Sequence, residues 1–165
     1  MEWAKDIPRG QIDATFPNVH AIADITQEIH RRATALQPGQ WILGAGWDDS
    51  KLAEHRYITR QDLDSVAPNN PVYLDHVSGH LAAVNSAVLK LAGIGKETPD
   101  PQAGFIEHDA AGKPTGILKD TAMSLVNSGL PKDPDDINVR AAQLISQKAA
   151  ELGLTTIHDI FLSAD

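Results

Sequence analysis

The groups in this sequence best suited to chemistry are its seven histidines and its scattered carboxylates, and the chemistry they would suit is metal binding, with hydrolysis by a metal-bound water as one use of it. Such a centre needs about three protein ligands converging on an ion whose bound water falls to a pKa near 7, with one position left open. His20, His30, His55, His76, His80, His108 and His158 mostly stand alone along the chain. His76 and His80 are four apart, a spacing that in a helix would put both imidazoles on one face. The strand-like run before them and Gly79 between them argue against that helix. Too few cation-gripping groups share a short motif to build a hydrolytic centre, so the expectation is that this chain holds no metal of its own.

Other positions carry paired readings. His80 sits in a loop after Gly79, where it could contact a substrate or bond a leaving group, or merely cap a helix starting at Leu81. Asn85 and Ser86 could orient a polar substrate or bond the nearby backbone. Trp47 and Asp48 follow two glycines, so they could line a pocket as an aromatic wall with a carboxylate; a buried Trp beside a turn-forming Asp explains the same residues. His158 and Asp159 end the last expected strand. Glu107, Asp109 and Lys119 read as ordinary surface charges. The sequence contains no Gly-X-Ser-X-Gly elbow, phosphate loop or EF-hand spacing, which removes serine-nucleophile, nucleotide and calcium-loop readings.

The elements that must position these residues follow from periodicity. From His20 to Leu36, apolar residues recur at spacings of three and four, predicting a helix that Pro38-Gly39 stops. Trp41-Ile42-Leu43 predicts a short strand leaving through Gly44 and Gly46. Thr59 with Asp62 three residues on predicts a capped short helix. Val72 to Val77 has strand composition, and the spacing of Val84, Val88 and Leu91 predicts a helix from Leu81 to Leu91, ended by Gly93. Phe105–His108 and Thr115–Leu118 flank a Gly-containing turn, predicting a β-hairpin. A helix is expected from Asp120 to Leu130, a longer one from about Asp136 to Leu152, and a strand from Leu154 to Asp159. Residues 1–18 carry Pro8, Gly10 and Pro17 without periodicity and read as an irregular lead-in.

The 165 residues are 42% hydrophobic and 22% charged, which suits one globular domain with a core. Fourteen basic against 22 acidic residues give a formal charge of -8, which disfavours binding to nucleic acid or anionic membranes. No cysteine is present, so disulfides, thiol nucleophiles and Cys-based zinc sites are excluded and a reducing, cytoplasmic setting is the default. No apolar run approaches the roughly 20 residues of a membrane span, and the polar start is unlike a secretory signal.

Several blocks, in order, resemble one family. They are Trp41-Ile-Leu-Gly-Ala-Gly-Trp-Asp48, Asp62-Leu-Asp64 with Asn70-Pro71-Val72, Gly79-His80 with Asn85-Ser86, and Leu91-Ala-Gly-Ile94. Further on come Pro101, Gly104-Phe-Ile-Glu107, Gly112-Lys-Pro-Thr-Gly-Ile-Leu118 and Gly153-Leu-Thr-Thr-Ile-His-Asp159. Together they resemble the family 3 amidohydrolases, metal-dependent hydrolases that include N-substituted formamide deformylase. Ala103 stands where that pattern has a second glycine, and Asp120 where glutamate is common.

The resemblance implies a (β/α)₈ barrel as parent, with a His-X-His that this sequence does not contain, so the match covers an insertion between barrel strands. The expected fold is therefore α+β: a small mixed or antiparallel sheet packed by helices, ending in one barrel-type strand. The expected organisation is lead-in 1–18, insertion or cap domain 19–134, and parent-barrel helix and strand 135–165. The expected role is the cap of a hydrolase of non-peptide carbon-nitrogen bonds, with His80, Asn85, Trp47 and Asp48 contacting a small amide-like substrate. Zinc or another divalent metal would belong to the parent, where His158 and Asp159 are candidate ligands, and the isolated chain would be inactive. Expected partners are the rest of the barrel and the substrate, with self-association through cut edges. Two alternatives stand beside this: a free-standing binding module, and a small independent metallohydrolase using His76, His80 and His158.

Overall fold

A computed structural model describes residues 11–132 and 137–156. The compact unit Gly10–Pro131 is built on six strands: β1 (Ile12–Asp13), β2 (Ile42–Trp47), β3 (Val72–His76), β4 (Leu81–Val84), β5 (Gly104–His108) and β6 (Pro114–Asp120). Their order in the sheet is β1-β2-β3-β4-β6-β5. The first three run parallel, and the remaining pairings are antiparallel. The sheet is open and mixed, with helices against it, which is the expected α+β class.

Strand alternation divides the core between the two sheet faces. Ile42, Val72, Leu74, Leu81, Ala83 and Ile117 join one buried cluster with Ile22, Ile25 and Ile29 of α1 (Ile22–Ala35) and Leu63 of α2 (Arg60–Asp64). Tyr73, Ala82, Val84, Ile106 and Leu118 join the other, with Val88 and Leu89 of α3 (Ser86–Leu91), Ala122 of the 3-10 turn Thr121–Met123, and Val126 of α4 (Ser124–Asn127). The three-and-four spacing of the isoleucines thus forms the buried stripe of α1. The capping prediction for α2 also holds: the Asp62 carboxylate accepts from both the N–H and the hydroxyl of Thr59, each at 2.8 Å.

Three expectations are corrected. Leu81–Val84 is a strand rather than the start of a helix; all four residues are buried between the two sheet faces, and the helix starts only after Asn85. The residue that suggested a helical stripe, Leu91, is 65% exposed. The helix expected from Asp120 is reduced to the 3-10 turn and the single turn of α4, because pairing with β4 and β5 carries β6 through to Asp120. Within the lead-in, Ile12–Asp13 pairs with Gly44 and Ala45 as β1.

The second compact unit contains α5 (Ile137–Glu151). Gly153, at φ +76°, ends it: its N–H bonds Ala150 O at 3.0 Å and Leu154 N–H bonds Ala149 O at 2.8 Å, a Schellman-type stop. Leu154–Thr156 form no strand; Ile157, His158 and Asp159, on which the expected strand and ligands depend, lie outside the described residues. Among the described residues no helix is long and apolar enough to cross a membrane.

Candidate functional site at the C-terminal edge of the sheet

In open sheets with parallel strands, ligands gather beyond the carboxyl ends of those strands. Here that edge collects Asp13 at the end of β1, Asp48 and Asp49 just past β2, and His76 at the end of β3. The antiparallel half adds its own residues to the same edge, because Leu81 opens β4 opposite Lys119 and Gly104 opens β5 opposite Asp120. His80, just before β4, and Asp120, the last residue of β6, therefore meet there.

A β-bulge sets the exit of β2. The register of β2 against β3 shifts between Ala45 and Trp47, with Gly46 at φ +94°, where a Cβ would lie 2.2 Å from Thr15 Cγ2. Only glycine fits that conformation and that gap. The bulge leaves Trp47 inward and fully buried. Its indole N–H donates to Leu74 O at 3.1 Å, and its ring meets His76 edge-on, centroids 4.6 Å apart at 76°. Asp48 and Asp49 come out on the rim. Val77 N–H donates to Trp47 O at 2.9 Å, tying the ends of β2 and β3 together.

At this exit one oxygen or nitrogen each from Asp48, Asp49 and His76 lie within 4.8 Å of one another, a set that could hold a metal ion. This overturns the expectation that the chain itself carries no cofactor site. Residues 48, 49 and 76 form no sequence motif; parallel pairing of β2 with β3 brings them together. Two carboxylates and one imidazole are a mixed oxygen and nitrogen donor set suited to zinc or a similar divalent ion, and three protein donors leave positions open for water. Donors about 2.1 Å from one ion lie at most about 4.2 Å apart, so rotation of the carboxylates would complete the fit.

The tautomer of His76 is set by its neighbours. Ser78 N–H donates to Nδ1 at 3.1 Å, so the neutral ring carries its proton on Nε2 and donates it to Asp49 Oδ1 at 3.2 Å. Holding a cation at Nε2 would require the ring proton to move to Nδ1, within reach of Ser78 Oγ at 2.9 Å, and the Ser78 N–H to give up its bond to that nitrogen. The Asp48 carboxyl is held below the usual carboxylate range. The Ser50 hydroxyl does most of this, at 2.7 Å, against an upward push from partial burial; the Ser50 N–H, at 2.9 Å, and electrostatic attraction from the nearby His76 and Lys51 side chains add to the lowering.

The second pair on the edge is His80 with Asp120. His80 Nδ1 lies 3.1 Å from Asp120 Oδ1, and Asp120 N–H donates to His80 O at 2.8 Å. Asp120 holds φ +50°, a conformation that costs an L residue about 1–3 kcal/mol. Asp120 had stood out in the sequence only as a substitute for glutamate, and its partnership with His80 had no signal there. Asp49 was likewise missed.

Asn85, expected at the substrate, is fully buried with all its hydrogen-bonding capacity engaged. Oδ1 accepts from Val72 N and Val88 N, and Nδ2 donates to Ala67 O and Asn70 O. Of the four expected substrate contacts, Asp48 and His80 reach the rim, whereas Trp47 and Asn85 direct their polar atoms to backbone. His76 and His80 do not share a three-donor group: among the described residues that group is Asp48, Asp49 and His76.

The amidohydrolase family pattern matches residues 10–164. This chain belongs to the amidohydrolase family. The family match takes in all the blocks from which the resemblance was read, Trp41 to Asp159. The amidohydrolase chain is 38% identical over 157 residues to N-substituted formamide deformylase of Arthrobacter pascens, covering 93% of this chain and 29% of that protein. It is 37% identical over 126 residues to the protein LONG AFTER FAR-RED 3 of Arabidopsis thaliana, covering 74% and 21%. An uncharacterized metal-dependent hydrolase from Pyrococcus horikoshii shares the fold at TM-score 0.53 and 20% identity, with 94% of this chain and 28% of that one covered. The amidohydrolase chain thus spans less than a third of the length of these proteins.

Proposed function

We propose that this chain is the cap, or insertion region, of a metal-dependent amidohydrolase acting on non-peptide carbon-nitrogen bonds. Residues 19–134 would form the cap, preceded by the lead-in 1–18, and residues 135–165 would supply a helix and strand of the parent barrel. Its partners in this reading are the rest of that barrel and a small amide-like substrate. The observation that carries it is the convergence of Asp48, Asp49, His76, His80 and Asp120 on one edge of the sheet, the edge where parallel strands present ligand-binding groups. A bound divalent ion would supply an activated water for attack on the amide carbonyl. Within this chain, Asp48, Asp49 and His76 are the residues placed to hold such an ion, while His80 faces the substrate side.

The similarity to N-substituted formamide deformylase makes formamides the first substrates to test. A chimera in which these 165 residues replace the matching segment of the Arthrobacter pascens enzyme should hydrolyse an N-substituted formamide, and the 165-residue chain alone should not. A folded chimera without turnover, or a chain that turns over the amide unaided, would reject the cap reading.

A further inference from the structure

An edge strand carries a row of backbone donors and acceptors that pair readily with another chain, so folded proteins shorten, charge or cover such strands. The two edges of this sheet differ in that respect. β1 is two residues long, and the carbonyl just before it, Gln11 O, accepts from Arg32 Nη2 at 3.1 Å. β5 is five residues long, pairs among the described residues with β6 alone, and carries Phe105 at 47% exposure. It contains neither proline nor lysine, so its own residues give its outer edge little protection.

The protection comes from the loop that precedes it. Ile106 N–H donates to Asp100 Oδ1 at 2.8 Å, away from β6, so by the alternation of an antiparallel ladder Gly104 also turns its N–H outward. Gly104 N–H donates to Pro101 O at 3.1 Å. Both outward donors of the regular stretch, which ends at the irregularity after Ile106, are thus taken by adjacent residues of one loop. Pro99 and Pro101 flank Asp100; they stiffen the loop and have no N–H, so it covers the edge without becoming a new one. Thr121 Oγ1 fastens it further by donating to Gln102 O at 2.6 Å. The loop enters β5 through Ala103 at φ +59°, a left-handed conformation that is strained for an L residue, and these bonds hold it down against that strain.

We propose that residues 99–102 form a strap that keeps β5 closed to strand addition by a second copy of this chain, with Asp100 as its clasp. An added antiparallel strand needs both the N–H and the C=O of Ile106, and the strap already holds the N–H. A second copy fits the opened edge by symmetry. Two-fold pairing centred on Ile106 matches that residue with itself and sets Phe105 of one copy opposite Glu107 of the other, so no like charges are opposed along β5. The inference goes beyond the cap reading and does not depend on it.

The test is the oligomeric state of the 165-residue chain by sedimentation velocity over a concentration series, with amide hydrogen exchange read at Ile106. Asp100→Ala should tighten self-association at least about tenfold, because a hydrogen bond to a carboxylate no longer competes with strand pairing. In that variant the Ile106 N–H should exchange fast in dilute solution and slowly in concentrated solution. Asp100→Asn, which keeps an acceptor oxygen, should behave as the wild type. Thr121→Val loosens the strap without touching Asp100 and should shift association the same way by a smaller factor. Self-association of Asp100→Ala no tighter than that of the wild type, association without concentration-dependent protection of Ile106, or an Asp100→Asn variant that associates like Asp100→Ala each overturns the proposal. Should Asp100→Ala fail to fold, Thr121→Val decides by the same two measurements.

Discussion

His76 Nε2 lies 3.2 Å from Asp49 Oδ1, across 27 residues of sequence. The pair exists because β2 and β3 run parallel in a register that opposes Trp47 to His76, and because the bulge at Gly46 turns the chain so that Asp49 emerges beside the imidazole. Trp47 supports it from below through its edge-on ring contact. A histidine already hydrogen-bonded to a carboxylate, with a second carboxylate within 4.8 Å, could take a cation at Nε2 once its ring proton moves to Nδ1.

Metal uptake follows from that geometry. The 165-residue chain is expected to bind Co²⁺ or Zn²⁺ near one equivalent, reversibly to chelator, by isothermal titration with elemental analysis. Loss of a histidine's outer partner typically weakens metal binding 10–100-fold, so His76→Gln, which removes a ligand itself, should cost at least about tenfold. Equal uptake by the chain and by a combined Asp48→Asn, Asp49→Asn and His76→Gln variant would refute the site.

Asn85 is structural in its contacts, and its loss should appear in stability. Asn85→Ala removes the side-chain partner of four buried backbone groups, on Val72, Val88, Ala67 and Asn70, of which Ala67 O keeps a bond from Asn70 N–H at 3.5 Å. Each unsatisfied buried group costs about 1–3 kcal/mol, partly relieved by relaxation. A destabilisation of roughly 3–5 kcal/mol in urea unfolding is expected, and a change under about 1 kcal/mol would contradict this packing.

Ala103 occupies φ +59°, which accounts physically for the glycine that the family pattern has there. An L side chain in the left-handed region costs about 1–2 kcal/mol, part of which glycine returns as unfolded-state entropy. Ala103→Gly should raise stability by about 0.5–1 kcal/mol in thermal or urea melts, whereas a destabilised variant would place Ala103 in a different conformation.

Acid should weaken the unit in a defined window through Glu28. Arg31, donating to its carboxylate at 2.6 and 2.8 Å, does most to lower its pKa to about 2; partial burial pushes upward and Arg32, at 2.9 Å, pulls down again. A carboxyl with a depressed folded-state pKa contributes stability above its unfolded value, near 4.5, and loses it as pH falls toward 2. Because the pair is partly solvated, the contribution should not exceed about 1 kcal/mol. Glu28→Gln should therefore flatten the fall in urea midpoint between those pH values, and an unchanged pH profile would show that the pairing adds nothing.

Local chemistry was legible in the amino-acid order, because it acts over one or two turns of chain. The isoleucine stripe of α1, the Thr59–Asp62 cap, the hairpin of β5 and β6 and the glycine stop at Gly153 each depend on residues within a few positions of one another. The family blocks were legible for the same reason. Tertiary structure alone decided that Leu81–Val84 is a strand: an apolar run of four fits a helix or a strand buried on both faces, and only the neighbours β3 and β6 resolve it. It also decided the candidate site. Asp49 with His76, and His80 with Asp120, stand 27 and 40 residues apart, and no local propensity encodes which strands pair or in which register. The charged groups of the edge were all visible in the chain; their convergence is a property of the sheet.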